Sequence, residues 1–351
     1  MKYYKSLFMF ITVAFLAACS NDYQKPESPD TPLEISLSST LSSEVTRGSF
    51  DDTNDAAITR LQGVQISNGE KVYVWIDEHT TTPVAYVNAW ELTADGSGAL
   101  NYAISDKKYY PGSGNNVDFY CMHGNFGSAP SGAFPTTALT HKVELDQSTA
   151  ANYAKSDLLY GSLTNRPRSA TAQAVLFKHK LAKVEVKLII GTGVTLAQLT
   201  GAGAYVKLLG TKDQADYTPV KHDAFASITP ATTIANYGGV LSNEVQSAAN
   251  TDITMYSQTD GAATDAIGEI PVFAEAVIIP QTIGTTSNFI HVHISTGGDL
   301  YAKLATSTTF EAGKKYLYKV TVNLSGLQVS SSITDWDPVS GGSLDANMTT
   351  P

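Results

Sequence analysis

Histidines are the side chains of this 351-residue chain best suited to metal chemistry. Seven occur, and His291 and His293 form the best pair, because residues i and i+2 of a strand lie on one face. Zinc sites need three or four ligands, and no Cys, Asp or Glu nearby in the sequence completes the set. His179, between two lysines, is expected to be a half-exposed strand residue. The sequence therefore predicts a solvated histidine pair and no metal site.

Nucleophilic and cofactor chemistry have equally little support. Cys121 lies in an apolar stretch, where an inert core thiol is expected rather than a nucleophile. Gly191-Thr192-Gly193 lacks the third glycine of a dinucleotide-binding loop, and Gly112-Ser113-Gly114 lies in a predicted turn. Neither a Gly-x-Ser-x-Gly elbow nor a His-Glu-x-x-His helix occurs in the sequence. We therefore expect a protein that is not an enzyme, with no catalytic residue and no cofactor.

Aromatic residues offer a different kind of binding chemistry. The chain has 18 tyrosines, and tyrosine-rich loops can bind sugars or protein partners. Most of these tyrosines fall within predicted strands, where packing explains them. Trp90, Tyr109 and Tyr110 could form an exposed stacking platform, although half-buried packing is the expected role. A monomeric surface protein that binds glycans through loop aromatics is therefore kept as an alternative function.

The remaining cysteine, Cys19, stands at the end of an N-terminal signal. Two lysines precede an apolar run over residues 7–16, which is shorter than the roughly 20 residues that a bilayer span needs. The stretch Leu16-Ala17-Ala18-Cys19 resembles a lipoprotein box, in which cleavage falls before the cysteine and that cysteine receives acyl chains such as palmitate. The sequence thus predicts a signal peptide over residues 1–18 and a lipid anchor on Cys19. The alternative is an ordinary signal peptide with a chance cysteine.

Composition and charge indicate the fold class and exclude some kinds of partner. The net charge is −10 with no basic cluster, which argues against nucleic acid as a partner. Charged residues are only 16% of the chain, and Thr, Ser, Ala, Gly, Val and Tyr dominate, a mixture typical of extracellular all-β proteins. If Cys19 is lipidated, Cys121 has no cysteine to pair with, so no disulfide framework is expected.

Strands separated by turn signals recur from Val64 onward, the pattern of β-sandwiches rather than of βαβ units. The length suggests two such domains in series, with a boundary near residues 165–175. Short strands are expected within residues 217–268, at positions that the pattern does not define. The predicted organisation is a signal peptide (1–18), a flexible tether (19–32), an N-terminal β-sandwich domain (33–170), a C-terminal β-sandwich domain (171–338) and a polar tail (339–351).

The first predicted strand is separated from the others by a long polar loop. Leu33, Ile35 and Leu37 alternate with polar residues, which indicates a strand with one buried face, and we expect it at an edge of the first domain. Arg47 lies in the polar loop that follows. Arg60 is flanked by apolar residues that suggest the start of a strand, so a protease should reach it less easily.

Four segments, taken in this order, resemble the fimbrillin family, the type V pilins of Gram-negative bacteria. The segments are Leu16-Ala17-Ala18-Cys19; Leu33-Glu34-Ile35-Ser36-Leu37 with Thr46-Arg47; Leu176-Phe177-Lys178-His179-Lys180-Leu181-Ala182-Lys183-Val184; and Phe310-Glu311-Ala312-Gly313-Lys314-Lys315-Tyr316 running on to Ile333-Thr334-Asp335-Trp336. The resemblance implies two domains of transthyretin-like topology.

The resemblance also implies a mode of assembly. In that family the pilin is exported as a lipoprotein, and an arginine-directed protease then removes the first strand. The hydrophobic groove that remains is filled by an extended terminal segment of the next subunit. For this chain the resemblance implies cleavage at Arg47, loss of the strand that carries Leu33, Ile35 and Leu37, and partnership with other pilin subunits. It places the protein at the cell outer membrane, exposed and lipid-anchored, and in the fimbrium after processing, where host or bacterial surface ligands are further candidate partners.

The C-terminus departs from the pattern of stalk pilins, which need a donor strand there. The tail after Trp336 is polar and only weakly alternating. A donor strand could instead come from Leu327, Val329 and Ile333, which alternate, but these residues could equally form the last strand of the domain. A tip or accessory subunit, which accepts a strand and donates none, is therefore the expected role.

Overall fold

The computed structural model describes residues 31–41, 61, 64–223, 234–249 and 251–336. Its secondary structure confirms the predicted all-β class. In the first half the strands are β1 (Leu37–Leu41), β2 (Lys71–Glu78), β3 (Val84–Ala94), β4 (Ala99–Asn101), β5 (Val117–His123), β6 (Leu139–Lys142), β7 (Leu159–Arg166) and β8 (Gln173–His179). A short helix, α1 (Ala150–Ser156), precedes β7.

The second half continues with more strands and one further short helix. They are β9 (Ala182–Ile190), α2 (Leu196–Thr200), β10 (Tyr205–Leu208), β11 (Gln214–Pro219), β12 (Gly239–Val245), β13 (Ile253–Thr254), β14 (Tyr256–Thr259), β15 (Val272–Ile278), β16 (Gln281–Ile283), β17 (Asn288–Ile294), β18 (Gly298–Lys303), β19 (Thr308–Phe310), β20 (Lys314–Asn323) and β21 (Gly326–Asp335). The strands predicted within residues 217–268 are therefore present, as β12, β13 and β14. No helix of the described residues is long and apolar enough to cross a bilayer.

Seven strands of the first half form one sheet that closes on itself, in the order β1-β4-β3-β2-β5-β7-β8. All neighbours are antiparallel except β1 and β8, which run parallel and close the sheet. Its interior is filled by alternate residues of each strand, such as Val74, Ile76 and Phe119. Strands β2 and β5 are buried on both faces, because their outer faces pack against the second half.

The second half is built around a five-stranded sheet, β14-β15-β9-β20-β21, and a four-stranded sheet, β13-β10-β17-β18. Val184, Val186 and Leu188 lie in the core of this half, as the period-2 pattern of β9 predicts. Two smaller sheets, β12-β11-β6 and β16-β19, complete the fold. The transthyretin-like topology implied by the resemblance stays a prediction.

The two halves share part of one core. Strand β6 of the first half pairs with β11 of the second, and Trp75, Met122 and Tyr160 on the outer face of the closed sheet belong to the second core. The predicted boundary at residues 165–175 runs from the end of β7 to the start of β8, and these two strands pair within the closed sheet. The chain changes sheets a few residues later, between β8 and β9. The division into two domains stays a prediction.

The residues at this change of sheet are polar yet buried. His179 is fully buried, so the prediction of a half-exposed residue is wrong. Its Nδ1 lies 2.8 Å from Oδ2 of Asp157, and its ring stacks on Trp336 with 3.6 Å between centroids. The next residue, Lys180, is also fully buried.

The ammonium group of Lys180 holds the turn that precedes β12. Its Nζ lies within hydrogen-bond distance of four carbonyl oxygens, those of Ala235 (3.0 Å), Gly239 (3.1 Å), Ile234 and Tyr237, which share its three N–H donors. A charged donor suits several carbonyl acceptors at once, since each hydrogen bond to a charged group contributes about 1.5–3 kcal/mol. Lys180 therefore ties the chain between β8 and β9 to the 234–239 turn.

We expect Lys180→Met to lower the free energy of unfolding by about 3 kcal/mol or more, because it leaves several buried carbonyl groups without their donor. Urea-induced unfolding measures this change. The control is Lys71→Met, which removes an exposed ion pair with Glu91 (3.0 Å) and should cost less than about 1 kcal/mol. Equal losses in the two variants would contradict the assigned role of Lys180.

Candidate assembly site

Strand β1 is hydrogen-bonded along both of its edges. It runs parallel to β8 from Leu37, opposite Gln173, to Leu41, opposite Phe177. It also pairs antiparallel with β4 through Leu37 and Ser38. The predicted pairing of the first strand within the first half is thus confirmed. The predicted edge position is wrong, because β1 lies between β4 and β8 and completes the sheet.

The chain just before β1 pairs with a second segment. The N–H of Ile35 donates to the carbonyl of Lys108 at 2.8 Å, and the N–H of Tyr110 donates to the carbonyl of Leu33 at 2.8 Å. The regular strand starts at Leu37, later than predicted, but the alternation of the segment holds from Leu33 onward. The whole length from Leu33 to Leu41 is therefore integrated into the fold.

Apolar side chains of this segment fill the closed sheet. Ile35, Leu37 and Leu41 are buried in its core, where β8 contributes Val175 and Phe177, and Leu33 packs at the margin. Burying an aliphatic side chain of this size contributes about 1.5–3 kcal/mol before the cost of ordering the chain. Without this segment, the sheet would have an apolar gap between β4 and β8.

A glycine lets the turn before β4 approach β1 closely. Gly98 has φ +112°, and its carbonyl accepts a hydrogen bond of 2.7 Å from the N–H of Ser39. A Cβ at Gly98 would lie 3.3 Å from the carbonyl oxygen of Ser39 and 2.9 Å from Oε1 of Gln65. Both the backbone angle and the space therefore require glycine at this position.

Polar side-chain contacts at this end of the chain are weak. Oγ of Ser39 is buried and donates to the carbonyl of Gly98 at 3.4 Å, and two further contacts are exposed. Nζ of Lys107 lies 2.7 Å from Oε2 of Glu34, and Nη2 of Arg168 donates to the carbonyl of Thr31 at 2.8 Å. Exposed pairs of this kind contribute about 0–1 kcal/mol each. Backbone pairing and apolar burial, rather than charge, hold the first strand in place.

Several predicted features lie outside the described residues: the signal peptide (1–18), the lipidation site Cys19, the arginines Arg47 and Arg60, and the polar tail (339–351). They stay predictions.

Two described residues flank positions 42–60, which include both arginines. The chain leaves the closed sheet at Leu41, and the N–H of Leu61 donates to Oε1 of Glu275 on β15 at 3.0 Å. Burial raises the pKa of Glu275, whose Oε2 lies 2.8 Å from Nζ of Lys183. Leu41 therefore lies in the closed sheet, and Leu61 contacts the five-stranded sheet of the second half.

The residues considered as a donor strand lie in β21. Leu327, Val329 and Ile333 are partly buried against the second core, and β21 pairs antiparallel with β20 along its whole length. Strand β21 forms an edge of the five-stranded sheet. Within this chain these residues form the last strand of the second half, and their use as a donor strand stays a prediction.

The aromatic platform considered for glycan binding is not formed. Trp90 and Tyr110 are buried in the core of the closed sheet, and only Tyr109, with 42% of its surface accessible, is exposed. The ring of Trp90 packs against that of Tyr102 at 5.2 Å between centroids. Ordinary packing thus explains these aromatics, and the exposed-platform alternative is wrong.

Cys121 lies at the position that the sequence predicts. It is fully buried in the core of the closed sheet. Burial raises the pKa of its thiol far above the usual range, so the nucleophilic thiolate is disfavoured.

The histidine pair has a carboxylate partner that sequence reasoning missed. Nε2 of His291 and Nδ1 of His293 each lie 2.7 Å from Oδ1 of Asp299, so the expectation that no acidic residue lies nearby is wrong. Hydrogen bonds from the two imidazoles lower the pKa of Asp299. A tight hairpin turn at residues 295–297, closed by the pair Ile294 and Gly298, places Asp299 opposite His293. Gly297 and Gly298 were the sequence signal from which this hairpin could have been predicted.

Comparison with known proteins gives relatives along almost the whole chain. The chain is 22% identical over 342 residues to "Putative fimbrium subunit Fim1C" of Bacteroides uniformis, and the alignment covers 96% of each protein. Two crystal structures, each of a "putative cell adhesion protein", have a similar fold. The one from Bacteroides uniformis has a TM-score of 0.53 at 18% identity and covers 86% of this chain and 98% of that chain. The one from Bacteroides ovatus has a TM-score of 0.54 at 14% identity, and the match covers 87% of this chain and 98% of that chain.

At these identities the solved structures show a shared fold alone. Family membership rests instead on a sequence model of the fimbrillin-like family, which matches residues 59–336 and therefore more than half of the chain. The resemblance noted in the sequence is confirmed: the protein belongs to the fimbrillin-like family.

Proposed function

We propose that this protein is a structural or adhesive subunit of a fimbrium, joined to neighbouring subunits by strand exchange. The position of β1 carries the proposal. Its removal would leave β4 and β8 with unpaired backbone groups beside an apolar gap. An extended segment of another subunit, with alternating apolar side chains, could pair with these backbone groups and fill the apolar gap, as in other cases of strand addition. Membership of the fimbrillin-like family supports this role.

In this proposal Arg47 is the processing site. A cut after Arg47 turns the first strand into a separate peptide, which is then held only by hydrogen bonds and apolar contacts. Displacing that peptide exposes the gap. Before the cut, the covalent link keeps the strand at a high effective concentration, so premature assembly is suppressed.

The other parts of the proposal concern location and partners. Cys19 carries the lipid that anchors the protein at the outer membrane, and the processed subunit belongs to the fimbrium. Its partners are other pilin subunits, with host or bacterial surface ligands as further candidates, and it has no enzymatic role. The name of the relative, a fimbrium subunit, supports the fimbrial location. The glycan-binding alternative has lost the platform on which it depended, because Trp90 and Tyr110 are buried.

We expect Arg47→Ala to give a folded, lipidated and monomeric protein that does not join fibres, because the uncut strand stays in place. Arg60→Ala is the matched control and should behave like the wild type. Immunoblotting of sheared fibres and of the membrane fraction measures both. Normal incorporation of the Arg47 variant would contradict cleavage at this residue.

We expect a synthetic peptide of residues 32–41, added in excess to the cut protein, to inhibit fibre assembly by occupying the gap again. A peptide with Ile35→Ser and Leu37→Ser should be at least about 100-fold less potent, because each lost side chain contributes about 1.5–3 kcal/mol. The half-inhibitory concentrations in a polymerisation assay measure the difference. Equal potency of the two peptides would argue against strand exchange at β1.

If the protein is a tip or accessory subunit that donates no strand, deletion of residues 339–351 should leave fibre incorporation and fibre length unchanged. Electron microscopy of fibres from the deletion strain measures the length. A control deletion in which Leu327, Val329 and Ile333 are also removed should lose the stable fold, since β21 completes the five-stranded sheet. Loss of incorporation with the short deletion alone would identify the tail as a donor.

A further inference from the structure

Two imidazoles and one carboxylate converge on the outer face of the four-stranded sheet. Nε2 of His291 and Nδ1 of His293 both lie 2.7 Å from Oδ1 of Asp299, and the three possible ligand atoms all lie within 4.8 Å of one another. We propose that His291, His293 and Asp299 bind one Zn²⁺ ion, with water at the fourth position.

The register of three strands builds the site. Strand β17 is the middle strand, and it pairs with β10 on one side and β18 on the other. His293 lies between Tyr205 and Asp299, and His291 lies between Lys207 and Tyr301. Because His291 and His293 are two residues apart on one strand, both point away from the core that Ile290 and Val292 enter. The positions of the three ligands are therefore determined by backbone pairing rather than by a loop.

Aromatic contacts fix the orientation of both imidazoles. The ring of His293 stacks on Tyr205 with 4.8 Å between centroids and 10° between planes. The ring of His291 stacks on Tyr301 at 4.5 Å and 17°, and the edge of Tyr205 meets it at 5.3 Å. Rings held in this way lose little further freedom when an ion binds, so the ligand set is largely preorganised.

The ligand chemistry favours zinc over the hard cations. Two imidazole nitrogens and one carboxylate oxygen match the donors that Zn²⁺ prefers, whereas Mg²⁺ and Ca²⁺ prefer oxygen-only sites. Three protein ligands leave one position of a tetrahedron open. The exposure of the side chains rises from His291 (9%) through His293 (24%) to Asp299 (46%), so the open position faces solvent on the carboxylate side.

Binding requires a rearrangement of the three side chains. Around a tetrahedral Zn²⁺ with bonds of about 2.0–2.2 Å, the ligand atoms lie roughly 3.3 Å apart, so Asp299 must move away from the imidazoles by about half an ångström. The two imidazole nitrogens, which lie within 4.8 Å of each other, must come to the same separation of roughly 3.3 Å. Asp299 is exposed and lies near the start of an edge strand, where such a shift is inexpensive. Each imidazole must also present a lone pair to the metal, so the proton of a neutral ring lies on its other nitrogen.

One neighbouring charge opposes a cation. Lys207 is paired with His291 across the strands, and its Nζ lies 4.9 Å from the centroid of the Tyr205 ring. Its positive charge repels Zn²⁺, and the carboxylate of Asp299 offsets this repulsion. Replacing Lys207 by an uncharged residue should therefore strengthen zinc binding, an effect that a chance cluster of hydrogen-bonded side chains would not produce.

Isothermal titration calorimetry of the full-length protein, purified without a polyhistidine tag, tests the proposal with ZnCl₂ and with MgCl₂. We expect one zinc ion per chain with a Kd below about 10 μM, and no heat of binding with Mg²⁺. Asp299→Asn and His293→Gln should each bind Zn²⁺ at least about tenfold more weakly, and Lys207→Gln about two- to fivefold more tightly.

The matched control is His79→Gln. His79 is a half-exposed histidine whose Nδ1 lies 2.9 Å from Oδ1 of Asp118, but no third ligand is grouped with this pair among the described residues. Its loss should leave the zinc affinity unchanged. Thermal unfolding without metal checks that each variant is folded. Because Asp299 is exposed, we expect Asp299→Asn to perturb folding least. A wild-type Kd above about 10 μM, or unchanged affinity in both Asp299→Asn and His293→Gln, would overturn the proposal.

Discussion

The closed sheet of the first half depends on one short strand. Strand β1 is the parallel partner of β8 and the antiparallel partner of β4, so it joins the two ends of a six-stranded series. A closed sheet offers no unpaired backbone to another chain, whereas a sheet that lacks one strand offers two edges at once. In the proposed assembly, the same few residues would separate a closed sheet from one with a binding site for an extended segment.

A different kind of interaction holds the second half to the first. Where the chain passes from β8 to β9, His179 and Lys180 are buried: Nδ1 of His179 is hydrogen-bonded to Asp157, and Nζ of Lys180 donates to carbonyl groups of the 234–239 turn. Buried hydrogen bonds to charged groups depend strongly on geometry, so they tolerate few alternative arrangements. The apolar contacts of β1 are less directional, and another strand with similar side chains could replace them.

The local parts of this structure could be predicted from the sequence, and the long-range parts could not. Alternation identified the common face of Leu33, Ile35 and Leu37, because period 2 is a property of the strand itself. The position of that strand between β4 and β8 depends on pairing partners at residues 99–100 and 173–177, which alternation does not reveal. Asp299 was missed for a related reason: the histidines were judged by neighbours in sequence, although Gly297 and Gly298 indicated a hairpin turn that brings Asp299 across from His293.

The two hydrophobic cores explain how a subunit could lose a strand without unfolding. The buried apolar side chains between Leu33 and Leu41, which are Ile35, Leu37 and Leu41, all belong to the core inside the closed sheet, and none belongs to the larger core of the second half. Strands β2 and β5 contribute to both cores, with one face in each. Removal of β1 therefore opens only the first core, while the outer faces of β2 and β5 stay packed against the second half. In the proposed assembly, those two strands, supported by the second half, would preserve the shape of the gap until another strand fills it.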